Sequence, residues 1–205
     1  MPSEESTSNP WTVLTREVKF DSPYFNARQD IVRFRDRAPR PYNSIRAKAH
    51  GVCVVPIDRD GRVTLVGQYR YVLDRFTWEL PGGGVPAGVD DLEVAKAELS
   101  EEAGQRAGQW LKIVEGAVSV GTSDEIQYGY VAWDIDQAAS HPEPEEELVL
   151  RSVPFREALE MALRGEIAHL IGAAVLMGID VRFQRGDLPE DLARLLRPGA
   201  ATPRP

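Results

Sequence analysis

The chain has 205 residues, 42% hydrophobic and 27% charged, and a formal net charge of -8. That is enough for one sizeable core, or one core with a small appendage. The acidic balance and the lack of any Lys/Arg-rich run exclude nucleic acid as the main partner, because phosphate-backbone binding needs a positive surface.

The opening "MPSEESTSNP" is polar and acidic, without the basic and apolar regions of a signal peptide. Residues 1–10 therefore read as a disordered tail. "WTVLTREVKF" and "RQDIVRFRD" read as a pair of strands, followed by a Pro-punctuated loop, "RAPRPYNS". Residues 11–44 are too few for an independent core and are expected to form a small amino-terminal antiparallel β subdomain. From residue 45 the strands lengthen. "IRAKAHGVCVVPI" and "RVTLVGQYR" flank "DRDG", whose Asp-Gly ending is a hairpin signal. Cys53 lies in the first of these. As the single cysteine it excludes an internal disulfide and a thiolate zinc cluster, and its apolar setting marks a buried structural thiol.

"FTWEL" is a short strand entering a glycine-rich turn. A helix follows, capped by Asp90 or Asp91 and running to about Ala103, with Gly104 as a left-handed C-cap. "WLKIVEGAVSV", "IQYGYVAWDI" and "EELVLRSV" are further strands. Pro154 opens a helix with apolar spacing at Ala158, Met161 and Ala162, and 167–182 reads as a buried helix. The longest apolar run, "IAHLIGAAVLMGI", falls well short of the ~20 residues that span a bilayer, so no membrane partner and a cytoplasmic location are expected. Residues 191–205 read as a carboxy-terminal tail. Interleaved strands and helices give an α/β class, with a mixed sheet sandwiched between helices over 45–190.

In "PGGGVPAGVDDLEVAKAELSEEAG", Leu92, Ala95, Leu99 and Ala103 form one apolar stripe. Glu98, Glu101 and Glu102 stand at i, i+3 and i+4, so their carboxylates gather on an adjacent face. Like charges at this spacing repel, and no Lys or Arg before the closing Gly104 stands four positions after any of the three. A solvated acidic face is one reading. The other is a site for a hard divalent cation, which prefers carboxylate and carbonyl oxygens, with the glycine turn exposing backbone carbonyls beside the carboxylates.

This segment resembles the Nudix box, whose pattern is Gly, five residues, Glu, seven residues, then Arg-Glu-apolar-x-Glu-Glu-x-Gly-apolar. Gly83, Glu98, Leu99, Glu101, Glu102 and Gly104 match. Val89 stands at the first Glu position, Ala97 at the Arg position and Gln105 at the last apolar one. "GRVTLVGQYRY", "WELPGGG", "VSVGTSDEIQYGYVAWDI" and "EPEEELVLRSVPFREAL" are similar to the ADP-ribose pyrophosphatase-like branch of the family, and the likeness covers 45–179.

The resemblance implies the Nudix fold and hydrolysis of a nucleoside diphosphate linked to another moiety, with Mg²⁺ or Mn²⁺. ADP-ribose is the leading substrate, and other nucleotide sugars and dinucleotides are alternatives. Glu98 and Glu102 would be the principal metal ligands, Glu101 an additional one and the Gly82 carbonyl a backbone ligand. The general base would be Glu146, or else Glu147, in "HPEPEEEL". Arg70 and Glu79 match positions lining the substrate site, and Glu125 is a further candidate. In that branch the amino-terminal strands help build a homodimer, and Trp11, Tyr24 and Phe25 are available to stack on a base. Val89 and Ala97 also leave open a nucleotide-binding or regulatory protein without efficient chemistry. His50, His141 and His169 show no ligand spacing and read as surface or core histidines.

Overall fold

The computed structural model describes residues 8–138 and 147–197, and the chain divides into two units. One comprises the described residues up to Ala49 together with Ala117–Glu125; the other comprises His50–Gly116 and the described residues from Ile126 onward.

The first unit is an antiparallel sheet of β1 (Trp11–Asp21), β2 (Phe25–Phe34) and β3 (Arg40–Ala47), in that order. β3 replaces the loop expected at "RAPRPYNS", and the 44/45 boundary falls inside it. Pro41 is tolerated because β3 is an edge strand, where a missing N–H leaves no ladder bond unmade. The segment 117–125 joins this unit through a parallel bridge between Ile45 and Ser123 and the Tyr42 hydroxyl, which donates to the Gly121 carbonyl at 2.9 Å. Val13, Leu14, Val18, Phe20 and Tyr24 are exposed on or beside β1.

The second unit holds two sheets. One has the order β7-β4-β9-β8, made of β4 (Ala49–Pro56), β7 (Gly82–Pro86), β8 (Gln105–Ala117) and β9 (Ile126–Gln137). The other has the order β10-β5-β6, made of β5 (Arg62–Arg70), β6 (Arg75–Glu79) and β10 (Val149–Pro154). The "DRDG" turn forms, with Asp58 N–H donating to Arg62 O at 2.9 Å, yet β4 and β5 lie in different sheets, and Ile57, just past β4, meets Val63 in an isolated bridge. β4 instead runs parallel to β9. Buried on both faces, it reads as a continuous apolar run rather than an alternating one.

The alternation of side chains along β4 and β9 divides the core. Cys53, Val55, Val131 and Trp133 face α2 (Phe155–Leu163) and α3 (Leu170–Arg185). Val52, Val54, Tyr130 and Ala132 face α1 (Asp91–Ala103), whose Ala95, Leu99 and Ala103 complete that cluster. The mixed sheet therefore lies between helices, as expected. The tail expected at 191–205 is in part α4 (Glu190–Leu195): Leu192 is fully buried, and Trp133 Nε1 donates to Asp191 Oδ2 at 2.8 Å. Two buried leucines, Leu192 and Leu196, supply the apolar anchor that a Pro-rich ending obscures in sequence. Among the described residues no helix is long and apolar enough to cross a membrane.

Candidate active site

α1 is fixed at both ends by its own sequence. The Asp90 side chain accepts from the backbone N–H of Leu92 and Glu93, and Gly104 closes the helix at φ 60°. Leu99 is fully buried, a contribution of roughly 2 kcal/mol from apolar burial. With the apolar stripe pinned to the sheet, the adjacent face turns toward β7.

The expected glycine turn is thus an edge strand, and the carboxylates meet it. Gly82 N–H donates to Glu102 Oε2 at 2.8 Å, and Glu102 is buried at 5% exposure. Glu98 reaches Gly83 so closely that a Cβ there would lie 1.9 Å from its Oε1. Only a residue without a side chain leaves room for that carboxylate. Glu101 is exposed. Among the described residues no three Asp, Glu, His or Cys side chains are gathered to hold a metal. The donor set nevertheless suits a hard divalent cation: two acidic side chains directed at one backbone segment, with a third one turn away.

Gly82 and Gly83 also line a cleft of about 520 Å³, with Arg70, Glu79, Gln127, His169 and the short 3-10 helix Tyr71–Leu73. Arg70 ends β5 and Glu79 ends β6, at opposite ends of their antiparallel ladder, and their side chains reach each other. Arg70 Nε donates to Glu79 Oε1 at 2.8 Å and Nη2 to Oε2 at 2.6 Å, while Thr77 Oγ1 donates to Oε1 at 2.6 Å. Burial opposes the Glu79 charge; these hydrogen bonds, with the charges of Arg70 and His169, outweigh it and hold the carboxyl below its ordinary value. The forked Arg70 pairing is the bidentate geometry that fixes a guanidinium in one orientation.

Two cleft residues escape sequence reasoning. His169 sits at the N-cap of α3, where no spacing rule flags it, and Gln127, buried at 8% exposure, is the second residue of β9 and reads as an ordinary strand residue. Glu147 is exposed and lines a second groove with Gln68, Tyr69 and Phe76; Glu146 lies outside the described residues, as does His141. Trp11 and Glu125 belong to the first unit. Trp11 packs edge-on to Phe34 and Tyr42, with centroids 5.0 and 5.7 Å away, and Arg40 lies over its ring. Glu125 N–H donates to Ser123 Oγ.

The three departures from the box have distinct surroundings. Val89 is 47% exposed and Ala97 is exposed, so neither leaves a buried charge unpaired. Gln105 is buried and its Nε2 donates to Thr64 Oγ1 at 3.0 Å, which replaces apolar packing by a hydrogen bond. Cys53 is fully buried, and burial pushes its thiol up to about 12, the state of an inert structural cysteine.

The family model of the NUDIX domain matches residues 47–171. An ADP-ribose pyrophosphatase of Mycobacterium tuberculosis is 33% identical over 132 residues, covering 62% of this chain and 63% of that protein. A CMP-5'-(N-acetyl-N-hydroxy-3-aminopropyl)phosphonate hydrolase of Streptomyces rubellomurinus is 28% identical over 172 residues, covering 82% and 83%. The crystal structure of an ADP compounds hydrolase superposes with a TM-score of 0.78 at 18% identity, covering 88% of this chain and 98% of that one, a likeness of fold. The family match takes in β4 to α2, the whole carboxylate helix included, and reaches the start of α3: the chain belongs to the Nudix family.

Proposed function

We propose that the protein is a divalent-cation-dependent hydrolase of a nucleoside diphosphate linked to a second moiety, with ADP-ribose the leading substrate. The observation that carries this reading is the convergence of Glu98 and Glu102 on Gly82 and Gly83, which line the same cleft as Arg70 and Glu79. The names of the relatives, an ADP-ribose pyrophosphatase and a hydrolase of a CMP-phosphonate, support the substrate class.

Glu98 and Glu102 would hold the cation, with Glu101 and the Gly82 carbonyl as further ligands. When bound, Mg²⁺ or Mn²⁺ supplies charge neutralisation at phosphoryl oxygens and a lowered pKa for water. The chain's own residues bind, orient and move the proton. Arg70, held by Glu79, presents positive charge to the diphosphate in the cleft. Glu146, or Glu147 beside it, accepts the proton of the attacking water. Water adds to one phosphorus, the bridging P–O bond breaks, and a nucleoside monophosphate leaves with a sugar phosphate. Trp11 and Glu125 would contact the substrate, and the exposed apolar residues of the amino-terminal unit would form part of a homodimer contact.

The test is Mg²⁺-dependent release of nucleoside monophosphate from ADP-ribose, GDP-mannose, UDP-glucose and diadenosine polyphosphates. AMP from ADP-ribose at the highest kcat/KM supports the reading. Release from none of them, with thermal stabilisation by one, would overturn it in favour of binding without chemistry.

A further inference from the structure

The pair that would brace the carboxylate helix, a Glu at 89 and an Arg at 97, is absent. The first turn of α1 is tied to the sheet by other residues. Asp91, the first residue of the helix, accepts at Oδ2 from the Tyr130 hydroxyl at 2.6 Å and lies 2.7 Å from Lys112 Nζ. Lys112 projects from β8 and Tyr130 from β9, so two neighbouring strands grip one carboxylate. The Lys112 ammonium also lies 4.7 Å from the Tyr128 ring centre and 5.4 Å from that of Tyr130, close enough for cation–π attraction to hold it in place.

Burial opposes the Asp91 charge, but the Lys112 and Tyr130 hydrogen bonds outweigh it and depress the Asp91 carboxyl, while the tyrosine hydroxyl is pushed up to about 12 by burial and by Asp91. The group is therefore a persistent ionic contact across the neutral range. Glu98 follows Asp91 by about two helical turns on the same rigid rod, so a shift of the first turn is carried to the carboxylates.

We propose that Asp91, Tyr130 and Lys112 form a positioning clamp that replaces the missing box pair and holds α1 so that Glu98 and Glu102 keep their aim at β7. The clamp's role in metal binding rests on the hydrolase reading above. Mn²⁺ binding to the full chain, measured by titration calorimetry at a temperature where every variant is folded, tests it. Lys112→Met and Tyr130→Phe should each weaken Mn²⁺ by about 10-fold, the low end of the scale for partners that orient metal ligands. The Mg²⁺ concentration for half-maximal turnover should rise in step, with KM for ADP-ribose unchanged at saturating Mg²⁺. Adding Val89→Glu and Ala97→Arg to Lys112→Met should recover most of the affinity, and Lys112→Arg should lose little. Unchanged Mn²⁺ affinity in both clamp variants would overturn the proposal, and a loss that the restored pair does not recover would overturn the replacement role. An unaltered chain that binds no Mn²⁺ sinks the hydrolase reading instead. If Lys112→Met does not fold, Tyr130→Phe, which keeps the ring, decides the matter.

Discussion

The two walls of the cleft are built on different principles. On one side, Gly82 and Gly83, which line the cleft, and the glutamates behind them come from one stretch of chain: a capped helix, its closing glycine and the strand just before it. On the other side, Arg70, Glu79, His169 and Gln127 come from four elements that only the tertiary fold brings together. The first wall depends on where a rigid helix is held. The second depends on how one guanidinium and one carboxylate orient each other. A perturbation of the first wall should therefore separate stability from activity according to which face of α1 it touches, and a perturbation of the second should appear in the pH dependence.

The largest effect is expected on the buried face of α1. Leu99→Ala should cost about 3 to 4 kcal/mol, since Leu99 is fully buried and α1 has no other large aliphatic side chain buried to that degree. Chemical denaturation measures it, and a cost below about 1 kcal/mol would mean that α1 is not held by this stripe.

Gly83→Ala should act in the opposite way. The new Cβ meets the flexible end of Glu98 rather than backbone, so the carboxylate moves and the fold does not. Turnover should fall about 100-fold, the cost of misplacing a reacting group by roughly an ångström, with stability changed by less than about 1 kcal/mol. Equal losses of both would erase the distinction between the two faces of the helix.

The opposite wall is probed by Glu79→Gln. Because the folded carboxyl lies below its ordinary value of 4.5, its stabilisation is present above that pH and disappears as pH falls through the lower folded value. The variant should lose about 2 kcal/mol near neutral pH and show a shallower acid limb, both read from denaturant midpoints at a series of pH values. An unaltered acid limb would show that Arg70 and Thr77 do not hold this carboxylate in solution. The smallest effect is expected for Gln105→Leu. It restores the apolar residue of the box, gives up one hydrogen bond to Thr64 and removes a buried Oε1 that has no partner among the described residues. Its stability should stay within about 1 kcal/mol of the unaltered chain, checked by thermal unfolding.

The same contrast explains what the sequence made legible. α1 could be read from Asp90 to Gly104 because caps, stripe and carboxylate spacing are all local. β3 could not, since Pro41 argues against a strand unless the strand is known to be an edge, which is a property of the sheet. Likewise "DRDG" announces a turn but not that its flanking strands part into separate sheets. Nor does any spacing rule bring His169 and Gln127 to the cleft, since both depend on where α3 and β9 come to rest. Lys112 and Tyr130 meet Asp91 for the same long-range reason.

The carboxylates of α1 aimed at Gly82 and Gly83 are the proposed reacting centre. The most direct test is Mg²⁺-dependent AMP release from ADP-ribose by Glu98→Gln and Glu102→Gln beside the unaltered chain, with thermal unfolding measured on the same samples. Loss of at least about 100-fold in kcat in both variants, with folding preserved, is the predicted result. Turnover within a few-fold of the unaltered chain in either folded variant would contradict this and leave that carboxylate a structural contact of β7 only.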